Sequence, residues 1–141
     1  MSDQQITVET RIAAPRDAVW QAFTTPEGIT QWNFASDDWQ CPHAEVDLRE
    51  GGRHTARMEA KDGSMGFDFG GTYREVDPQN ALLLEMDDGR LSRTAFAEED
   101  DGITHVTTTF DADDAHPAEM QRAGWQAILD NFRAYVERSR R

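Results

Sequence analysis

Several features that mark other classes of protein are missing from this sequence. It has a single cysteine, Cys41, so no intrachain disulfide can form. Its apolar residues never reach the run of about 18 that a membrane-spanning helix requires. Its first residues contain no apolar segment of a secretion signal. These absences predict a soluble cytoplasmic protein.

Positive charge is scarce as well. The chain has 14 Lys and Arg residues against 27 Asp and Glu residues, which gives a formal net charge of -13. A field of that sign repels phosphate backbones and anionic lipid headgroups. We therefore expect neither nucleic acid nor a membrane as a partner.

Motifs of catalysis and cofactor binding are also absent. The sequence has no G-x-S-x-G nucleophile motif and no phosphate-binding glycine loop. Cys41 and His43 do not have the spacing of metal ligands, and neither do the remaining histidines. We expect no cofactor and no metal ion, and we interpret the chain as a binding protein rather than an enzyme.

The composition fits one globular domain over residues 1–141, because that length supports a single hydrophobic core. The apolar fraction is 38%, and four Trp and seven Phe residues contribute large buried areas. Composition alone does not indicate an oligomeric state.

The first third of the chain has the pattern of one strand and two short helices. Residues 5–13 alternate between apolar and polar side chains, as in a half-buried strand. Pro15 is predicted to be the first residue of one helix. Thr25 is predicted to be the N-cap of a second helix that starts with Pro26. Residues 33–43 are predicted to be irregular.

The middle of the chain has the pattern of consecutive hairpins. Between residues 46 and 110, about six segments alternate apolar and polar residues and are separated by turns rich in Gly and Asp. Val46 and Leu48 are expected to point inward, and Gly70-Gly71 is expected to form a bulge or bend. Strands joined by short turns pair antiparallel, and their apolar face needs a covering layer.

The end of the chain supplies that layer. Residues 117–138 have the pattern of one long helix, in which Trp125, Ile128, Leu129 and later apolar residues form a continuous stripe. The predicted fold class is therefore α+β, with an antiparallel sheet of about seven strands, two short helices and one long C-terminal helix.

Five short segments occur in an order that is specific for a fold. In chain order they are Ile12-Ala13-Ala14-Pro15 with Val19-Trp20, Thr25-Pro26-Glu27 with Gln31-Trp32, Asp47-Leu48-Arg49 with Gly51-Gly52, Gly71-Thr72-Tyr73-Arg74-Glu75-Val76-Asp77-Pro78, and Gly124-Trp125 with Leu129 and Tyr135. Together they resemble the activator of Hsp90 ATPase homologue-like family, within the START and Bet v 1-like superfamily. The resemblance implies the helix-grip fold, in which the C-terminal helix lies in a curved, seven-stranded sheet.

That fold predicts a cavity beneath the helix, because a curved sheet cannot follow a straight helix everywhere. Gly124 also leaves out a side chain beside Trp125, where alanine would favour the helix by about 1 kcal/mol. A core filled by the same side chains is the alternative interpretation. The residues expected to line the cavity are Trp32, Trp39, His54, Met58, Phe67, Phe69, Tyr73, Leu84, Met86, Phe96, Thr108, Gln121, Trp125 and Leu129.

The leading functional hypothesis is that this cavity binds a small hydrophobic or aromatic molecule. The resemblance also implies a possible chaperone partner, an ATPase of the Hsp90 type. Eukaryotic activators of the family carry an additional N-terminal domain that engages the chaperone, and here the predicted first strand begins near the start of the sequence. A cyclase-like or hydrolase-like enzyme is the third hypothesis, with His54 and Tyr73 as an acid–base pair.

Overall fold

The structure, a computed structural model, describes residues 4–139. Its helices and strands follow one another as two short helices after the first strand, six strands in succession, and a long helix at the end. They are β1 (Gln5–Ile12), α1 (Arg16–Thr24), α2 (Pro26–Trp32), β2 (Trp39–Val46), β3 (Arg53–Ala60), β4 (Gly66–Asp77), β5 (Ala81–Met86), β6 (Leu91–Glu99), a 3-10 turn (Asp100–Gly102), β7 (Ile103–Asp111) and α3 (Ala118–Ser139).

The strands form one curled antiparallel sheet in the order β1-β7-β6-β5-β4-β3-β2. Strands β2 to β7 pair with their neighbours in sequence, as hairpins do. Strand β1 pairs instead with β7, so β1 and β2 are the two edges of the sheet. Helices α1 and α2 connect these edges. The predicted helix-grip architecture with seven strands is confirmed.

Helix α3 covers the sheet through the stripe that its sequence predicts. Leu129, Phe132 and Val136 are buried, and α3 packs most closely along β1. Strand β1 alternates buried and exposed residues along its whole length, so Ile6 and Val8 both point into the core. No helix within residues 4–139 is long and apolar enough to cross a membrane.

An aromatic cluster joins the three helices to the sheet. The ring of Phe132 in α3 lies 5.3 Å from that of Phe23 in α1 and 4.7 Å from that of Trp32 in α2, both edge to face. Phe23 in turn meets Phe96 of β6 at 5.4 Å. Such pairs contribute about 0.5–1.5 kcal/mol each beyond the area they bury. The cluster therefore fixes how α1 and α2 sit under α3.

The caps of the short helices follow the predicted pattern with one difference. The Thr25 hydroxyl accepts a hydrogen bond from the backbone N–H of Gly28 at 3.3 Å, so Thr25 is the N-cap of α2 as expected. Pro15, predicted as the first helical residue, is instead the N-cap residue of α1 and has extended backbone angles.

Strand β2 begins earlier than predicted, since Trp39 to His43 lie in the sheet rather than in an irregular segment. Between Gln40 and His43 the pairing with β3 shifts by one residue, which makes a bulge at Cys41 and Pro42. Cys41 and Ala44 are buried, so the inward residues are three apart instead of two. Alternation, the signal for a strand, is lost at this point.

Gly70 and Gly71 do not form the predicted bulge. Both pair regularly with β3, and the register shift in β4 lies between Tyr73 and Glu75. A Cβ at Gly70 would lie 2.5 Å from Asp87 Oδ2, and one at Gly71 would lie 2.8 Å from the carbonyl oxygen of Glu85. The backbone of Glu85 therefore accounts for Gly71, whereas the atoms near Gly70 belong to side chains that can move.

Leu48 does not point inward. It follows the end of β2 and is exposed, because the chain has left the sheet before reaching it.

Candidate functional site

A cavity of about 310 Å³ lies between α3 and the sheet. Its volume is at the lower end of the range of about 300–1,000 Å³ that is usual for small-molecule pockets. The residues predicted to line it that do so are Trp32, His54, Met58, Phe67, Phe69, Tyr73, Leu84, Thr108, Trp125 and Leu129. The other lining residues are Val8, Phe23, Asn33, Leu82, Arg90, Ser92, Thr94 and Ile128.

The floor of the cavity is a row of side chains across four adjacent strands. Val8 pairs with Thr108, Thr108 with Thr94, and Thr94 with Leu82. The hydroxyl groups of Thr94 and Thr108 are hydrogen-bonded to each other at 2.9 Å. This bond uses one of the two O–H groups, so the floor is apolar apart from the threonine pair.

The next row runs from Ser92 through Leu84 to Tyr73. Beyond it, His54 pairs with Gly71, which has no side chain to separate the imidazole from this row. His54 and Tyr73 therefore lie together at one side of a mostly apolar lining.

Helix α3 forms the roof. Trp125, Ile128 and Leu129 line the cavity at i, i+3 and i+4, the spacing that puts residues on one helix face. The indole of Trp125 stacks on Phe110 with the ring centroids 3.9 Å apart and the planes 10° from parallel. Phe67 is 50% exposed although it lines the cavity, so the cavity opens to solvent beside it.

His54 and Tyr73 form the polar contact inside the cavity. His54 Nδ1 lies 3.1 Å from the Tyr73 hydroxyl, a hydrogen-bond distance. Burial, together with the nearby positive charge of Arg53, lowers the pKa of His54 from 6.5 to about 4. Burial raises the pKa of Tyr73 well above its usual range. Both groups are therefore neutral around pH 7.

Arg90 and Asn33 are among the polar lining residues that were not predicted. Arg90 donates from Nε to Asp88 at 2.8 Å and from Nη1 to the backbone carbonyl of Asp111 at 3.2 Å. Asn33 ends α2 and forms a hydrogen bond with Cys41 that lowers the thiol pKa, although burial raises that pKa by more. Both residues lie where an element begins or ends, and periodicity carries no signal there.

Of the residues predicted to line the cavity, Trp39 and Gln121 lie elsewhere. Trp39 does not line the cavity, and its ring lies 6.1 Å from that of Phe67. The Gln121 side chain is occupied by the loop before α3, where it accepts from the Asp113 N–H at 2.8 Å and donates to the His116 carbonyl at 2.8 Å. It holds that loop against the helix instead of reaching the cavity mouth.

Phe96 and Met86 are buried but do not line the cavity either. Phe96 lies edge to face against Trp20 at 5.3 Å, within the aromatic cluster. Met86 ends β5 opposite Gly71 and is packed in the core. Gly124 does not line the cavity, and a Cβ there would meet nothing within 4 Å, so its missing side chain does not create the space.

The burial of His54 predicts a pH-dependent stability. The folded pKa of about 4 is below the value of 6.5 that is usual for the unfolded chain, so the unfolded state binds the proton more readily. The contribution of His54 is complete above pH 6.5 and is lost as the pH falls towards 4. It amounts to as much as about 3 kcal/mol over that window.

Urea unfolding of the wild type and of His54→Gln, measured at intervals between pH 7 and pH 4, checks this expectation. Glutamine cannot take up the proton, so the stability of the wild type should fall more steeply with acid than that of the variant. Parallel curves would contradict the buried, neutral imidazole.

Among the described residues, no group of three or more His, Cys, Asp and Glu side chains is arranged to hold a metal ion. The polar chemistry of the site therefore consists of hydroxyl, imidazole, amide and guanidinium groups.

The chain resembles known proteins along nearly its whole length. Residues 13–137 match the family model described as Activator of Hsp90 ATPase homolog 1-like protein. The solution structure of the AHSA1-like protein from Aeromonas hydrophila is 47% identical, with a TM-score of 0.91, and the match covers 96% of this chain and 94% of that one. A comparison with curated proteins gave no match.

Two further solved structures are similar. A protein from Cytophaga hutchinsonii is 40% identical, with a TM-score of 0.81, over 96% of this chain and 93% of its own. A protein from Chromobacterium violaceum is 26% identical, with a TM-score of 0.84, over 95% of this chain and 98% of its own.

Proposed function

Since this chain belongs to the Activator of Hsp90 ATPase homolog 1-like family, we propose that it binds one small hydrophobic or aromatic molecule in the cavity between α3 and the sheet. The observation that carries the proposal is the cavity itself, about 310 Å³ of space beneath the terminal helix. A core filled by the same side chains would leave no such space, because protein interiors are normally close-packed.

The nature of the lining supports an apolar guest. Phe67, Phe69 and Trp125 present aromatic surface, and Leu84 and Ile128 present aliphatic surface. Burial of apolar area contributes about 25 cal/mol per Å². A few polar groups at one side can then orient the molecule, as they commonly do in mostly apolar ligand pockets.

Binding fits the cavity better than acid–base catalysis does. A general acid or base works best when its pKa is near the working pH. The pKa of His54 is about 4 and that of Tyr73 is raised, so neither exchanges a proton readily around pH 7. The pair is suited to donating and accepting hydrogen bonds without changing charge.

Native mass spectrometry of the purified protein, followed by a thermal-shift screen, tests the proposal. We expect a retained small molecule or a stabilising compound among lipids, flavonoids and polyketides. A ligand present at 100 times its Kd stabilises the folded state by about 2.7 kcal/mol, which raises Tm by several degrees. If no compound of these classes binds or stabilises the protein, the proposal is wrong.

A second function is favoured by the family description alone, namely regulation of an ATPase of the Hsp90 type. The assay is the ATPase rate of a bacterial Hsp90 with and without this protein. An increase in the ATPase rate that saturates with the concentration of this protein would support a chaperone partner. An unchanged rate would contradict this second function.

A further inference from the structure

His54 has one ring nitrogen engaged and one that is not. Nδ1 is hydrogen-bonded to the Tyr73 hydroxyl at 3.1 Å. No group among residues 4–139 forms a hydrogen bond with Nε2. Within the same residues, Arg16 Nε is the one fully buried side-chain nitrogen or oxygen without a partner. Nε2 is therefore not sealed in the core, and the ring that carries it lines the cavity.

We infer that the ligand of this cavity carries an uncharged hydroxyl or carbonyl group, which forms a hydrogen bond with Nε2 of His54 while Tyr73 holds the imidazole in place. This inference rests on the proposed function, since it names the class of molecule that the same cavity binds. His54 contacts the ligand, and Tyr73 acts as a positioning residue through Nδ1.

The hydrogen bond between His54 and Tyr73 can form in two directions, and each direction suits one of the two ligand groups, the carbonyl or the hydroxyl. A neutral imidazole has one nitrogen that donates and one that accepts. When the Tyr73 hydroxyl donates to Nδ1, Nε2 carries the proton and donates to a ligand carbonyl. When Nδ1 donates to the Tyr73 oxygen, Nε2 accepts from a ligand hydroxyl. Either arrangement pairs both ring nitrogens without burying a charge.

The charges around the cavity disfavour a carboxylate. Burial keeps His54 neutral, so it offers no positive charge to an anion. Arg90 is the cationic residue that lines the cavity, and its guanidinium is already paired with Asp88 at 2.8 Å. The chain as a whole has a net charge of -13, which repels anions. Burying a carboxylate is costly where Asp88 already offsets the charge of the nearby guanidinium.

Three compounds of nearly equal size separate these possibilities: naphthalene, which has no polar group, and the beta isomers of naphthol and naphthoate. Binding of each is measured by isothermal titration at pH 7. We expect naphthol to bind about fivefold more tightly than naphthalene, the effect of one neutral hydrogen bond. Naphthoate should bind more weakly than naphthol.

The variant His54→Phe/Tyr73→Phe removes both hydrogen-bonding partners together, so neither is left unpaired in the core. We expect it to bind naphthalene and naphthol with equal Kd. Met120→Ala, which changes an exposed residue of α3 outside the cavity, should keep the preference for naphthol.

The outcomes distinguish the inference from the proposed function. If naphthalene binds but naphthol has no advantage, or naphthoate binds best, the inference is overturned and the cavity remains a ligand site. A preference for naphthol that survives in the double variant also overturns it. If none of the three compounds binds the wild type, the inference is overturned, and the screen of lipids, flavonoids and polyketides decides the proposed function separately.

Discussion

Replacing Phe132 with alanine is expected to lower the free energy of unfolding by about 3–5 kcal/mol. The Phe132 side chain is 0% exposed and is surrounded by the rings of Phe23 and Trp32. Truncation removes its burial and leaves a space that three separate helices cannot easily close. Urea unfolding, followed by circular dichroism and tryptophan fluorescence, measures the change in midpoint and slope.

Met120→Ala is the matched control, because Met120 lies on the same helix and is 60% exposed. Its replacement should change stability by no more than about 0.5 kcal/mol. An unfolding midpoint for Phe132→Ala that equals the wild-type value would mean that α3 is not anchored through this ring. The packing of the helix on the sheet, on which the cavity depends, would then be wrong.

The burial of Phe132 and of the residues around it could be predicted, because the spacing of apolar residues indicates which side chains face the core. A residue that must face the core recurs every three or four positions in a helix and every second position in a strand. The stripe of α3 and the alternation of β1 and β7 obey this rule without interruption. The order of elements, and therefore the fold, could be predicted from such signals.

Interruptions of the pattern explain where the prediction fails. In β2 an extra residue at Cys41 and Pro42 moves the next buried position to Ala44, so alternation no longer identifies the strand. Two adjacent glycines suggest a bulge, but Gly70 and Gly71 pair regularly with β3, and the backbone of Glu85 on the neighbouring strand leaves no room for a side chain at Gly71.

The candidate site could be predicted only in part, for a related reason. His54 and Tyr73 were identified because they lie within regular strands, where direction follows from register. Arg90 is brought to the cavity by hydrogen bonds with Asp88 and Asp111. Gln121 is turned away from it by its bonds to a loop. The spacing of residues in the sequence does not indicate the hydrogen-bond partners of Arg90 or of Gln121.

Filling the cavity from the helix side is expected to abolish most ligand binding while the protein remains folded. Ile128 is half-buried on α3 and lines the cavity, so in Ile128→Trp the larger ring can enter the empty space. A loss of about 100 Å² of apolar contact corresponds to about 2.5 kcal/mol. That loss should weaken the binding of beta-naphthol by on the order of a hundredfold, as measured by isothermal titration.

Met120→Trp introduces the same ring on the same helix but outside the cavity, so it should leave naphthol binding unchanged. Filling empty space adds contacts, so Ile128→Trp should unfold no earlier than the control in urea. A variant that is as stable as the control and still binds naphthol with the wild-type Kd would place the ligand elsewhere on the protein. If Met120→Trp also weakened naphthol binding, the effect of the tryptophan would come from a change in the helix and not from filling the cavity.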